Sequence, residues 1–262
     1  MIKRPVFLLL FAMTSSYFAP AEPITAQYKQ GSMHGFLLVK SPEGKVIAVG
    51  DVLQVAEGAR IRSRLIFRFR DGSIDEESTV VLQEDTLRLV SDHHVQKGPS
   101  FPTPLDVTVH VPTGEVAWRE TKGGKTEVHR NHMELPNDLA NGIIPQVMQN
   151  TPSNGAETKV SYLGNDPKPR IVKLSMRAEG RDRFTVGGLE YFATRYVMHI
   201  ELGGLAGMIA PMIGKQPADV HYWMITGEVP SCAKMEGAFY LGGPVWTVEQ
   251  ASPVWPSAGE AR

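Results

Sequence analysis

Arg60-Ile61-Arg62-Ser63-Arg64-Leu65-Ile66-Phe67-Arg68-Phe69-Arg70 decides the fold class. Ile61, Leu65, Phe67 and Phe69 occupy odd positions, and the five arginines occupy even ones. A period of two is that of a strand with one face on a core and one in water. Asp71-Gly72 follows and supplies a tight turn into a second run, Ile74 to Gln83, so the pair reads as a hairpin.

Outward from this hairpin the same grammar continues. Strands are expected at Phe36–Lys40, Val46–Ala56, Thr86–Gln96, Leu105–Val111, Glu115–Glu120 and Lys125–His132. Later ones are expected at Glu157–Leu163, Arg170–Glu179, Phe184–Val186, Glu190–Glu201, His221–Ile225, Ser231–Glu236 and Val245–Glu249. Ser41-Pro42-Glu43-Gly44, Pro112-Thr113-Gly114, Gly123-Gly124 and Gly187-Gly188 punctuate them. One helix interrupts the series: Pro136-Asn137-Asp138 offers a cap, and Leu139, Ile143 and Val147 recur at helical spacing. Ile144 or Met148 extends that face, and Pro145 keeps the helix short or kinked.

Composition agrees with a turn-rich β protein. The 262 residues include 25 Gly and 19 Pro, about a sixth of the chain against a usual share of roughly 12%. With 42% hydrophobic and 21% charged residues the chain is neither disordered nor a coiled coil. A net charge of -1 provides no overall attraction to nucleic acid. The lone Cys232 excludes a disulfide framework within the chain, and it reads as a small buried side chain.

The N-terminus reads as an export signal. Lys3 and Arg4 precede an apolar run from Val6 to Phe18, and Ala19-Pro20-Ala21 places small residues before a cleavage point at Glu22. The run is shorter than the ~20 residues that span a bilayer. The expectation is a signal peptide over 1–21, a single β-rich domain over 22–262, and a periplasmic or secreted product without a transmembrane segment.

Chemistry-bearing motifs are scarce. His93 and His94 are neighbours on a strand and face opposite ways, so they do not share a metal. His129, His132 and Glu134 have ligand-like composition without ligand spacing, and no zinc-protease or calcium-loop pattern occurs. No Gly-x-Ser-x-Gly elbow or phosphate-binding loop is present. Asp106 with His110, or Asp219 with His221, are the pairs available for acid–base work. No catalytic residue, cofactor or metal is therefore assigned. The arginine face reads as a solvated surface paired with Glu76 and Glu84, with phosphate or lipid headgroups as the functional alternative.

Leu202 to Ile213 is charge-free and rich in Gly and Met, which suits an adaptable wall or lid over an apolar cavity, or a plug completing the core. The residues expected to line the concave side are Leu65, Phe67, Phe69, Tyr196, Met198, Trp223 and Ile225 from strands. Leu205, Met208, Ile209, Met212 and Ile213 join them from the apolar loop.

A layout resemblance rests on the C-terminal third. Phe184-Thr185-Val186-Gly187-Gly188, Tyr191 to Tyr196, Tyr222-Trp223 and Pro230 to Glu236 follow one another in a fixed order. Over roughly 160–240 this resembles an uncharacterised family of bacterial periplasmic proteins. The whole layout looks like the half-barrel of lipoprotein-carrier proteins. That resemblance implies a curved antiparallel sheet and an envelope compartment, and it implies no activity. The expected architecture is a half-barrel with a short inserted helix and an apolar loop over its concave face. The expected role is non-enzymatic binding or carrying of a lipid, acyl chain or other apolar ligand. A structural or envelope-assembly protein with a filled core, with an envelope protein as its partner, is the alternative, and a hydrolase built from distant residues is the third.

Overall fold

The computed structural model describes residues 23–122, 124–164, 169–201 and 217–253. Its strands are β1 (Ile24–Thr25), β2 (Met33–Lys40), β3 (Val46–Glu57), β4 (Arg60–Phe69), β5 (Ile74–Gln83), β6 (Thr86–Lys97), β7 (Leu105–His110) and β8 (Glu115–Lys122). They continue as β9 (Lys125–His132), β10 (Thr158–Gly164), β11 (Arg170–Val186), β12 (Leu189–Glu201), β13 (Val220–Ile225), β14 (Ser231–Ala238) and β15 (Val245–Ala251). One short helix, α1 (Ile144–Asn150), lies between β9 and β10.

The strands form one curved antiparallel sheet in the order β10-β11-β12-β13-β14-β15-β2-β3-β4-β5-β6-β7-β8-β9, with β1 added to one end of β6. The sheet is not closed: β10 and β9 are its two edges. Chain order is nearly spatial order, because each hairpin places the next strand beside the last. The half-barrel architecture expected from the sequence is present. The apolar loop Leu202 to Ile213 lies outside the described residues.

On β4 the alternation holds. Ile61, Phe67 and Phe69 are buried on the concave side while Arg60, Arg62, Arg64 and Arg68 stay exposed. Arg64 Nε donates to Glu76 Oε1 at 2.7 Å across the sheet, and Arg62 pairs with Glu57. Glu84 does not join this face; it pairs with Arg88 at 2.7 Å, since both flank the β5–β6 turn. Two sequence runs, Arg170–Glu179 and Phe184–Val186, prove to be one long strand. A bulge between Ala178 and Gly180 absorbs the irregularity without ending the ladder.

The helix differs from expectation. α1 begins at Ile144 because Pro145 sits in its first turn, where a missing N–H costs nothing. Residues 138–141 instead run alongside β10. Ala140 N donates to Ser161 O at 2.9 Å and Ser161 N to Asp138 O at 3.2 Å. The Asn141 side chain donates to Leu163 O at 3.1 Å and accepts from Leu163 N at 2.8 Å. The open edge of β10 is thereby covered. The chain then turns inward, and Leu139, Ile143, Val147 and Met148 become part of the main core with Leu87, Val109, Leu174 and Met176.

A second core is aromatic. Phe69 meets Phe101 at 5.3 Å and Trp246 at 5.1 Å between centroids, and Phe239 meets Trp246 at 5.0 Å. Such tilted and edge-on pairs contribute about 0.5–1.5 kcal/mol each beyond burial.

Covering β10 buries a charge. Asp138 is 1% exposed, and Lys173 Nζ bridges its Oδ2 at 2.9 Å and Ser161 Oγ at 2.8 Å. Removing one partner leaves the other uncompensated. Lys173→Met should therefore lower stability by about 3 kcal/mol in urea unfolding, whereas adding Asp138→Asn to it should restore part of that loss. Equal stability of wild type and Lys173→Met would show that the pair contributes nothing.

Candidate functional site

The concave face carries an unexpected polar strip where β5 meets β6. Asp75 stands opposite Gln96, Glu77 opposite His94, and Thr79 opposite Asp92. Successive rungs two residues apart share a face, so all six side chains project inward. Asp92 is 2% exposed, Gln96 3% and Thr79 4%. His94 Nε2 meets Asp75 Oδ1 at 2.7 Å, and Gln96 Nε2 donates to Phe239 O at 3.0 Å. Glu77, opposite His94 in this set, is half-buried.

The inward-turning chain forms the opposite wall. Gly142 has φ +66°, and a Cβ there would lie 2.3 Å from Thr79 Cγ2, 3.0 Å from Glu77 Cδ and 3.1 Å from Asp92 Oδ1. Only glycine tolerates both the left-handed backbone and this approach. Buried side-chain oxygens at Thr79 Oγ1 and Asp92 Oδ1 have no hydrogen-bond partner.

Burial dominates the electrostatics. It raises the Glu77 carboxyl, with His94 pulling back and Asp75 adding to the rise. It raises Asp92 well above the carboxylate range, reinforced by the charge of Glu77. Burial opposes the His94 imidazolium, but the Asp75 hydrogen bond and the charges of Glu77, Asp75 and Asp92 outweigh it and raise the group to about 9. Tyr162 and Tyr222, which face the same space, are raised by burial and stay neutral. Burial also pushes the Cys232 thiol up to about 12, so it is not the thiolate a nucleophile needs. The strip can hold and share protons and accept hydrogen bonds.

A second feature lies at the far end of α1. A cleft of about 320 Å³ opens between that helix and β12–β13, with Tyr28, Met148, Gln149, Tyr196, Met224 and Pro230 among its walls. Tyr196 Oη donates to Thr151 O at 3.1 Å, and Gln149 Nε2 donates to Pro230 O at 2.9 Å. Met148 and Met224, each 1% exposed, lie beneath a lining that also carries the polar Gln27, Thr151, Ser153, Asn154 and Thr226.

The residues expected at a ligand site are dispersed. Tyr196 lines the cleft, and Met198 is buried beside it in the same core. Phe67 and Phe69 face inward but are packed into the aromatic core, with Leu65 half-buried at its margin. Trp223 and Ile225 are on the outer face, contrary to expectation. Tyr196 pairs with Tyr222, so Val220, Tyr222 and Met224 take the inner positions. Trp223 donates to Asp182 Oδ2 at 2.7 Å and lies 4.2 Å from Lys234 Nζ, ring centroid to nitrogen. Leu205, Met208, Ile209, Met212 and Ile213 lie outside the described residues. Asp75, Glu77, Asp92 and Met224 were not singled out by sequence, and His94 was read only as unable to share a metal with His93.

The acid–base pairs suggested by sequence do not form. Asp106 meets His93 at 3.0 Å and Arg119 at 2.8 Å, and His110 bonds Thr113 Oγ1 at 2.9 Å. Asp219 meets His199 at 2.7 Å, and the nearest acid to His221 is Glu179 at 3.9 Å. His129 stacks on Trp118 at 5.2 Å, away from His132 and Glu134. Among the described residues no group of three His, Cys, Asp or Glu is arranged to hold a metal ion. Among them, too, no helix is long and apolar enough to cross a membrane.

No protein-family model matches the chain, and no curated protein matches it. Among solved structures it is similar to a β-barrel-like protein of a domain of unknown function, DUF1849, from Brucella abortus. The TM-score is 0.47 and the identity 7%, over 85% of this chain and 97% of that one.

The strip makes stability depend on pH with a definite sign. His94 has a folded value near 9 against 6.5 when unfolded, so it binds a proton more tightly in the native state. Its contribution is complete below pH 6.5, falls as pH rises, and is gone above 9. Glu77 and Asp92, also raised, favour the native state at low pH and lose that contribution as pH rises. The melting temperature should therefore fall between pH 6.5 and 9, and His94→Gln should flatten the fall. An unchanged slope in that variant would remove His94 from the account.

Proposed function

We propose that this is an exported, non-enzymatic binding protein that holds an apolar small molecule, such as a lipid or acyl chain, in the cleft at the end of α1. The observation that carries this reading is the cleft itself: about 320 Å³, floored by Met148 and Met224 and rimmed by Tyr28, Gln149 and Tyr196. Binding sites are commonly concave, apolar at the base and marked by a few placed polar groups, with volumes from about 300 Å³ upward. Methionine floors adapt to guests of varied shape. Export is supported by the basic, apolar and small-residue order of the first 21 residues. A non-catalytic role is supported by Cys232 being held as a thiol and by the separation of Asp106 from His110 and Asp219 from His221.

A second reading has its own observation. Leu139, Ile143, Val147 and Met148, each at most 1% exposed, fill much of the concave face. A guest is thus confined to the cleft, and a chain with an empty cleft would serve as a structural or envelope-assembly protein.

Native mass spectrometry of the protein purified from cell envelopes, followed by solvent extraction, separates the two. A reproducible lipid-sized adduct is expected. Its occupancy should drop at least tenfold in Thr226→Trp, which places an indole at the exposed rim of the cleft without touching the core. A clean mass that stays unchanged when lipids are offered would overturn binding in favour of the structural reading.

A further inference from the structure

We propose that the tip of the β11–β12 hairpin is a membrane-docking finger, which dips into the surface of an anionic phospholipid bilayer and holds this end of the sheet against it. The inference does not rest on what the cleft at the end of α1 holds.

The hairpin outruns its neighbours. β10 pairs with β11 only as far as Met176, and β13 with β12 only as far as Ala193, so Arg183–Val186 and Leu189–Phe192 pair with each other alone. Gly187 and Gly188, at φ +59° and +84°, close the ribbon with a two-residue turn. Rungs two residues apart share a face, so Phe184 with Tyr191 and Val186 with Leu189 form one continuous apolar surface. Phe184 and Tyr191 stack at 5.7 Å, and Val186, Leu189 and Tyr191 are 59%, 65% and 45% exposed. The other face carries two cations. Arg183 pairs with Glu190 at 3.0 Å, whereas the Arg181 guanidinium lies 4.4 Å from the Phe192 ring centroid and has no carboxylate at ion-pair distance among the described residues. The β13–β14 turn, at the same end of the sheet, adds Val229, 83% exposed.

Size and order decide what covers this tip. At roughly 100 Å² of exposed area each, the four apolar side chains offer about 400 Å², half of the ~800 Å² that each partner gives to a stable protein interface. Along the finger the aliphatic pair comes first and the aromatic pair next. Arg181 stands five residues behind Val186, about 16 Å at strand rise. A bilayer presents hydrocarbon, interface and phosphate in that order, with a headgroup layer roughly 5–8 Å deep. With Arg181 at the phosphates, the tip reaches about 10 Å into the acyl chains, as interfacial elements do, and is too short to cross the ~30 Å core. Stacked on Phe192, the guanidinium keeps its in-plane N–H donors for phosphate oxygens, which is where charge complementarity enters. The cleft opens at this same end, since Thr226 and Gly227 in its wall directly follow Ile225, the last residue of β13. Docking brings that cleft to the bilayer surface.

The test is co-sedimentation of the protein purified from cell envelopes with vesicles of phosphatidylethanolamine and phosphatidylglycerol. Binding that saturates with lipid is expected. Val186→Ser combined with Leu189→Ser should weaken it at least about tenfold. Leu241→Ser, at a comparably exposed position at the opposite end of the sheet, should leave it unchanged. Vesicles of phosphatidylcholine should be bound about fivefold more weakly, and Arg181→Gln should abolish that difference. Both tip positions are exposed, so the melting temperature should hold. Should it fall, Leu189→Trp keeps the tip apolar, and the emission it adds should be quenched by lipids brominated in the upper acyl chain. Native mass spectrometry reads the cleft separately. Docking with an empty cleft would uphold the finger and overturn the cleft reading, and a lipid adduct in a protein that ignores vesicles would do the reverse. Equal vesicle binding by the tip variant, no vesicle binding at all, or a tip-dependent dimer in lipid-free buffer would overturn the proposal, the last assigning the tip to a second copy of the chain.

Discussion

The stretch from Asp138 to Met148 holds the molecule together. Its first part hydrogen-bonds along β10 through Asp138, Ala140 and Asn141, and its second part enters the concavity as α1. A long twisted antiparallel sheet curls, and its edges expose unpaired backbone groups. One edge, β10, is satisfied by this segment, and the same segment presses Gly142 onto β5 and β6 on the opposite side of the curl. Without it β10 would have a free edge, the core of Leu174, Met176 and Val109 would lack its centre, and the carboxyls of Glu77 and Asp92 would face water.

That dependence explains why the interior mixes apolar and ionisable groups. A folding domain has only a small surplus of stability, and buried carboxyls reduce it unless partners offset their desolvation. Asp138 is offset by Lys173, and Asp75 by His94. Glu77 and Asp92 are raised by burial, and the charge of His94 pulls both back in part. Packing alone would have been served by valine or isoleucine at these positions, as it is at Val81 and Val109 nearby. The cost concentrates on one strip, while the core around Phe69 and Trp246 is built from aromatic and aliphatic side chains.

Much of the architecture was legible because strand punctuation is local. Alternation in Arg60–Phe69 and the Asp71-Gly72 turn fixed one hairpin, and the bounds of β5 and β9 follow directly from the turns beside them. What sequence could not show depended on pairing between distant segments. In 220–225 both parities are largely apolar, so the choice between Tyr222 and Trp223 as the inner residue rests on the register with β12. In 74–79 both parities are polar, so nothing local says that Asp75, Glu77 and Thr79 face inward while Glu76 faces out. The helical spacing of Leu139, Ile143 and Val147 was real as a pattern of burial. Leu139 reaches the core from a segment pairing with β10 and Val147 from α1, so one apolar period spans two conformations.

The same segment divides the interior into two environments of different character. At the start of α1 the walls are carboxyl, hydroxyl and imidazole groups whose charges depend on protons and counter-ions. At its end the cleft walls combine Met148, Met224, Tyr28, Tyr196 and Pro230 with the polar side chains of Gln149, Thr151, Ser153 and Asn154. pH acts more strongly on the first environment, where the ionisable groups are, than on the second. A side chain at position 142 would collide with Thr79 and press on Glu77 and Asp92, so the close approach of this segment to β5 and β6 depends on glycine. Each environment is set by its own wall residues.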